Sequence, residues 1–271
     1  MADSEALLRL LALFAASMGL CAAQDAREIV ERSISLDKRF SEAVLDYAYV
    51  QHVEQRDLDS KGAAKRVTSR DYDVMLIEGT PYMRLVRRNG KPLAPDEERE
   101  QRQRLEQVIS ARKNETPAER AARLEDWKRR EQRRRAPLRE IPAAFHLKLA
   151  GETRLDGREL YVIQATPRPG YTGKDRISRA FPKLKGSLWI DKHTYEWVRA
   201  EAEVLETVSY GLFLIRVLPG TKLAIEETYV DGEVWLPNFF KADGTVRLGL
   251  IKRMRLQYEI DFRDYRKAGK D

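Results

Sequence analysis

Arg253 to Arg263 reads RMRLQYEIDFR, and this stretch decides the fold class. Met254, Leu256, Tyr258, Ile260 and Phe262 alternate with Arg253, Arg255, Gln257, Glu259, Asp261 and Arg263. A period of two places successive side chains on opposite faces of a strand. One face is then apolar and the other charged, as in an antiparallel sheet with one wet face; a parallel sheet buried on both sides would lack the charged series. The apolar series is expected to face inward, towards a covering helix.

Upstream, Asp-Gly pairs at Asp156-Gly157, Asp231-Gly232 and Asp243-Gly244 separate apolar-rich runs, which predicts a meander of strands joined by tight turns from Phe145 onward. In the first half, Val44–Leu58, Ala64–Ile77 and Tyr82–Arg88 read as strands, with turns at Ser60-Lys61-Gly62 and Asn89-Gly90. Two segments differ. Asp25 to Arg39 places Ile29, Val30, Ile34 and Leu36 at helical spacing amid charges, an amphipathic helix suited to covering a sheet. Pro95 to Arg135 is rich in Glu, Arg, Gln and Ala and is interrupted by Pro117, which predicts two charged helices spanning about 95–136. Between Asp96 and Arg139 there are 14 Lys+Arg and 10 Asp+Glu. The ordinary reading of such a run is a solvated face. The functional reading is a basic arm in which Arg129, Arg130, Arg133 and Arg134 meet anionic headgroups.

The chain has 271 residues, 42% of them hydrophobic and 34% charged, with a net charge of +7. That permits a core and does not demand a nucleic-acid partner. Leu7 to Leu20 (LLRLLALFAASMGL) followed by Cys21-Ala22-Ala23 reads as a secretory signal peptide over residues 1–23, leaving one mature domain from Gln24 to Asp271 in the periplasm. Asp3 and Glu5 make its start less basic than such signals usually are. Export argues against a nucleic-acid role. Cys21 is the only cysteine, so no intramolecular disulfide forms and no cysteine-based metal site exists; lipid anchoring through Cys21 is the alternative to plain cleavage.

Catalytic chemistry finds little to work with. His52, His146 and His193 lie in separate segments, and there is no phosphate loop, nucleophile elbow or HExxH. Neither a catalytic residue nor a metal or other cofactor is expected. Asp191-Lys192-His193-Thr194 reads as a turn, and Glu226-Glu227, like Glu201 and Glu203, as solvated strand residues. Distinctive chemistry is apolar: Trp189, Trp235, Phe239, Met254 and Tyr258 are the candidates for lining a ligand cavity on the sheet, core packing being the ordinary alternative for each.

Tyr161–Pro169 (YVIQATPRP), Lys183–Asp191 (KLKGSLWID) and Glu196–Val204 (EWVRAEAEV) resemble the lipoprotein-sorting carrier superfamily of LolA-type proteins. In that family a strand ending in a WID-like motif is followed by a short turn and the next strand of a curved sheet. The resemblance spans about residues 25 to 266. It implies an α+β fold, an unclosed β-barrel of antiparallel strands wrapped over a few helices around an apolar cavity, and binding of lipid or lipoprotein acyl chains. The insertion at about 95–136 is larger than a minimal carrier needs, and no gating residue transfers. The alternative function on the same scaffold is a regulatory or sensory module that binds a membrane protein partner.

Overall fold

A computed structural model of the chain describes residues 25–210, 215–249 and 252–268. Residues 1–24, which include the segment read as a signal peptide and Cys21, lie outside the described residues.

Thirteen strands form one sheet: β1 Tyr47–Leu58, β2 Ala64–Ile77, β3 Thr80–Arg88, β4 Lys91–Pro92, β5 Phe145–Leu155, β6 Arg158–Pro167, β7 Leu184–Asp191, β8 Trp197–Val204, β9 Val208–Tyr210, β10 Ile215–Val217, β11 Lys222–Val230, β12 Val234–Leu248 and β13 Lys252–Lys267. The main path runs β4-β3-β2-β1-β13-β12-β11-β8-β7-β6-β5, with β10 and β9 extending from β12. Every pairing is antiparallel, and the sheet does not close. Its centre joins the two ends of the chain, because β1 pairs with β13 from Tyr47↔Lys267 to Leu58↔Arg255. With four helices among the described residues, the architecture is the α+β unclosed sheet over helices that the sequence predicts.

The amphipathic segment forms helix α1, Ala26–Ala43. Ile29 and Val30 are fully buried in the main core with Ile141, Phe145, Tyr161, Ile163, Leu188 and Ile190. Removing one such aliphatic side chain from water contributes about 1.5–3 kcal/mol. That core belongs to β5, β6 and β7, and α1 packs on β5, β7 and β12. The apolar series of β13 lies on the same face of the sheet as α1, in line with the expectation that it faces the helix, but the main contacts of α1 are with β5, β7 and β12. With α1 over the β5–β8 end, Met254, Leu256, Tyr258, Ile260 and Phe262 stay half-buried. Burial alternates along β13 only near its start, since Gln257, Glu259 and Asp261 are half-buried too.

The charged insertion forms helices α2, Pro95–Lys113, and α3, Pro117–Arg135. Each begins with proline, whose missing N–H costs nothing in the first turn. Thr116 and Glu119 form a reciprocal capping box, the Glu119 N–H donating to Thr116 Oγ1 at 3.3 Å and the Thr116 N–H to Glu119 Oε2 at 2.8 Å. The hairpin docks on the β2–β3 turn. Arg123 donates to Thr80 Oγ1 (2.7 Å) and to the Glu78 carbonyl (3.0 Å), and Arg112 to the carbonyls of Ile77 (2.8 Å) and Thr80 (3.0 Å). A fourth helix, α4, is the single turn Ile141–Ala144.

Asp156-Gly157 and Asp231-Gly232 are turns, each with two successive positive φ values. Asp243-Gly244 is not. Both residues lie inside β12, with Asp243 opposite Gln257 and Gly244 opposite Leu256. A Cβ on Gly244 would sit 2.2 Å from Thr221 Oγ1, so this glycine permits a close approach and marks no reversal.

Candidate binding cleft on the helix-bearing face

Strand register sorts the side chains into two faces. On the face that carries α1, β13 presents Met254, Tyr258 and Ile260; opposite them on β12 stand Val246, Ala242 and Phe240, and on β11 Leu223 and Ile225. The rings of Phe240 and Tyr258 meet edge-on, centroids 6.3 Å apart. This strip lies between the helix-covered end of the sheet and the charged hairpin. Its side chains are only half-buried, and Ile225 is 47% exposed.

At Ile225 the strip opens into a cleft of about 150 Å³, bounded by Ser33 and Leu36 of α1, Arg135 of α3, Leu138, Trp197 and Ala200 of β8, and Glu227 of β11. β11 carries Ile225 and Glu227 to the same face, while its neighbour Glu226 points to the other and meets Arg199 at 3.3 Å. Glu226 is the solvated strand residue that the sequence suggests, paired there with Arg199; Glu227 is not. Burial pushes the Glu227 carboxyl up to about 8, against the pull of Arg135. Burial likewise lowers Arg135 to about 10, although its Nε donates to Glu131 Oε1 at 3.0 Å. Ser33 is 3% exposed, and its Oγ has no hydrogen-bond partner among the described residues.

The five predicted lining residues divide between the faces. Met254 and Tyr258 belong to the strip just described. Trp189 and Trp235 come together elsewhere, in a cluster with Leu160, Val198 and Tyr229. Arg158 stacks 3.8 Å over the Tyr229 ring, and its Nη1 lies 2.9 Å from Asp191 Oδ2. Phe239, one residue out of phase with Phe240, lines a larger cleft of about 660 Å³ on the face away from α1, among Arg199, Glu201, Lys222, Glu226, Lys241 and Asp243. Several of those charges are already matched, as in Arg199–Glu226 at 3.3 Å and Lys241–Glu259 at 2.7 Å.

Of the four arginines assigned to headgroups, Arg129 and Arg130 pair with Asp126 at 2.5 and 2.7 Å, and Arg134 with Glu131 at 2.7 Å. All three stay more than half exposed, and Arg133 is exposed as well. His193 sits in the expected turn, where its N–H and that of Thr194 donate to Asp191 Oδ1 at 2.9 and 2.7 Å. His52 contacts Asp71 across β1 and β2.

Fold and site together define a class: an α+β protein whose single unclosed antiparallel sheet leaves an apolar strip and a small polar cleft on its helix-bearing face. No protein-family model matches the chain, and no curated protein matches it. Among solved structures, it is similar to a domain assigned to outer membrane lipoprotein sorting from Vibrio parahaemolyticus, with 10% identity over 89% of this chain and 94% of that one and a TM-score of 0.36. It is also similar to a LolA superfamily protein from Nitrosomonas europaea, with 13% identity over 92% and 96% of the two chains and a TM-score of 0.31. A third similar structure is the MucA/MucB complex of Pseudomonas aeruginosa, with 11% identity over 88% and 99% and a TM-score of 0.22. The superpositions are loose, and the architecture stands on the strand ladder itself.

Proposed function

We propose that this chain is an exported protein of the bacterial cell envelope that binds lipid-like ligands, holding acyl chains along the apolar strip of the helix-bearing face, and that it acts by binding and not by catalysis. The observation that carries the reading is the series Met254, Tyr258 and Ile260 with Phe240 and Ile225, which shares one face of β11–β13 and stays only half-buried among the described residues. A continuous apolar surface of this kind gains free energy when it is covered, about 25 cal/mol for each Å² removed from water. An acyl chain fits such a strip because it needs no directional partner. The signal-like segment Leu7–Leu20 with Cys21-Ala22-Ala23 supports export to the periplasm, with a mature chain beginning near Gln24 as one domain. The exposed guanidinium groups of Arg129, Arg130, Arg133 and Arg134 then supply weak attraction to anionic headgroups.

The test is lipid extraction and mass spectrometry of the chain purified without detergent from native envelope fractions, beside an equal preparation of Tyr258→Asp. Copurification of acyl-containing molecules with the natural chain, depleted in the variant, supports the reading. Equal lipid in both, or a protein partner in place of lipid, overturns it in favour of a partner-binding module.

A further inference from the structure

The small cleft at the end of the apolar strip has a composition that a surface for hydrocarbon does not need. Its walls are apolar at Leu36, Leu138, Trp197 and Ala200, while Ser33, Arg135 and Glu227 come to it from three separate elements. Ser33 Oγ lies beneath the surface with no hydrogen-bond partner among the described residues, and an unsatisfied buried hydroxyl costs about 1–3 kcal/mol. Such a cost is retained where a ligand relieves it. A space of about 150 Å³ holds several non-hydrogen atoms, enough for a headgroup and too little for a whole lipid. Ile225 belongs to both cleft and strip, so a ligand with its polar end in the cleft lays its tail towards Leu223, Phe240 and Tyr258.

The charge in the cleft selects among headgroups. Arg135 already has an acidic partner in Glu131, and Glu196 adds a further carboxylate to the lining. The cleft therefore offers hydrogen bonds without spare positive charge, which disfavours an anion. We propose that it is the recognition site for an uncharged acyl carbonyl, an ester or amide, with Ser33 and Glu227 as hydrogen-bond donors to its oxygen. This rests on the acyl-binding reading above and names the end of the ligand that the cleft takes. Glu227 donates only while protonated, and burial keeps it so up to about pH 8. The ionisable groups around it are Arg135, Glu131, Glu196 and Arg199 in and beside the cleft, and Tyr265, whose own ionisation burial opposes.

Competition binding to the full mature chain, with an apolar fluorophore displaced by methyl laurate, laurate or tridecane, tests this. The natural chain is expected to prefer methyl laurate over tridecane by about tenfold, the worth of one or two hydrogen bonds. Ser33→Ala and Glu227→Leu each shrink that preference, weakening methyl laurate relative to tridecane. Glu227→Gln, which keeps a donor, retains it and loses its decline as pH rises through 8 to 9. Equal affinity for methyl laurate and tridecane in the natural chain overturns the carbonyl site and leaves the acyl reading standing. Tighter binding of laurate than of its ester assigns the cleft to anions and overturns the proposal. A fall in tridecane binding equal to that of the ester in Ser33→Ala means a structural role and does the same. Displacement by none of the three overturns the acyl reading and the site together. Should Glu227→Leu fail to fold, Ser33→Ala decides.

Discussion

Arg123 of α3 donates to the hydroxyl of Thr80 at 2.7 Å and, through its other terminal nitrogen, to the carbonyl of Glu78 at 3.0 Å. The charged hairpin is thus fastened to the β2–β3 turn at a residue that is 3% exposed. Leu124 lies against the same turn, 3.2 Å from where a Cβ on Gly79 would be. Arg123→Ala leaves buried acceptors without a donor, at about 2 kcal/mol. Hydrogen exchange over 95–135 should speed by at least tenfold in the variant, with exchange in β5–β8 unchanged. Unchanged exchange in the hairpin would show that the docking does not depend on this contact.

The pH dependence of stability has a sign fixed by Glu227. Its folded value of about 8 lies above the ordinary 4.5, so the folded state holds a proton that the unfolded chain releases between those values. The stability this carboxyl contributes is complete below about pH 4.5 and is lost as pH climbs through about 8. Discounted for the residue's partial accessibility and for nearby Arg135, the loss is on the order of 2 kcal/mol. Urea melts at pH 5 and pH 9 should show it, and Glu227→Gln should flatten the difference. A natural chain more stable at pH 9 than at pH 5, with the variant following the same course, would refute the assignment.

Asp191 closes the β7–β8 turn almost entirely out of solvent, at 1% exposure. Burial alone would raise its pKa, but the N–H groups of Thr194 and His193 and the Arg158 guanidinium hold it below the usual carboxylate range. Asp191→Ala removes the acceptor of two backbone N–H bonds and leaves Arg158 without its carboxylate partner, stacked on Tyr229 and Trp235. A destabilisation of about 3 kcal/mol follows. Chemical denaturation measures it, and a cost under about 1 kcal/mol would mean that solvent replaces the carboxylate.

What could be read in the sequence was whatever local periodicity encodes. Ile29 and Val30 announce the buried stripe of α1, and Asn89-Gly90 turns with φ values of 51° and 73°. Two charged helices split at Pro117 were legible for the same reason. Pairing of the first strand with the last, Tyr47 with Lys267, was not, since no local pattern states which distant strand is a neighbour. The cleft was hidden for a related reason: Glu226 and Glu227 look alike in sequence, and only the arrival of Arg135 and Ser33 from distant segments separates a solvated carboxylate from a buried one. Trp189 and Phe239 were sound as large apolar strand residues, yet alternation fixes a face only relative to neighbours, and both stand away from Tyr258.

Gly244 shows how a turn signal misleads. Asp-Gly favours a reversal, but here the missing Cβ makes room for Thr221, whose Oγ1 donates to the Leu218 carbonyl at 2.7 Å. Gly244→Ala should cost about 1–3 kcal/mol through overpacking, although glycine-to-alanine changes in extended backbone otherwise tend to stabilise. Thermal melting decides the sign. A higher melting temperature for the variant would show that β12 shifts to admit the methyl group.

Tyr258 provides the most direct check on ligand binding, because it sits half-buried in the middle of the strip and touches Phe240 without closing a core. A charge there costs little folding free energy, since the side chain keeps access to water, but it puts an unpaired carboxylate under any bound hydrocarbon. Each methylene laid on the strip contributes up to about 0.8 kcal/mol before ordering costs, so affinity should climb by severalfold per pair of carbons until the strip is covered. Titrating the natural chain with acyl esters of increasing length should give that climb and then a plateau. Tyr258→Asp should lower affinity for the longer esters most, while its circular dichroism and melting temperature stay close to those of the natural chain. The two readouts separate a lost surface from a lost fold. Affinity independent of length in the natural chain would mean that the strip does not hold acyl chains, and its exposed apolar side chains would then belong to a protein partner.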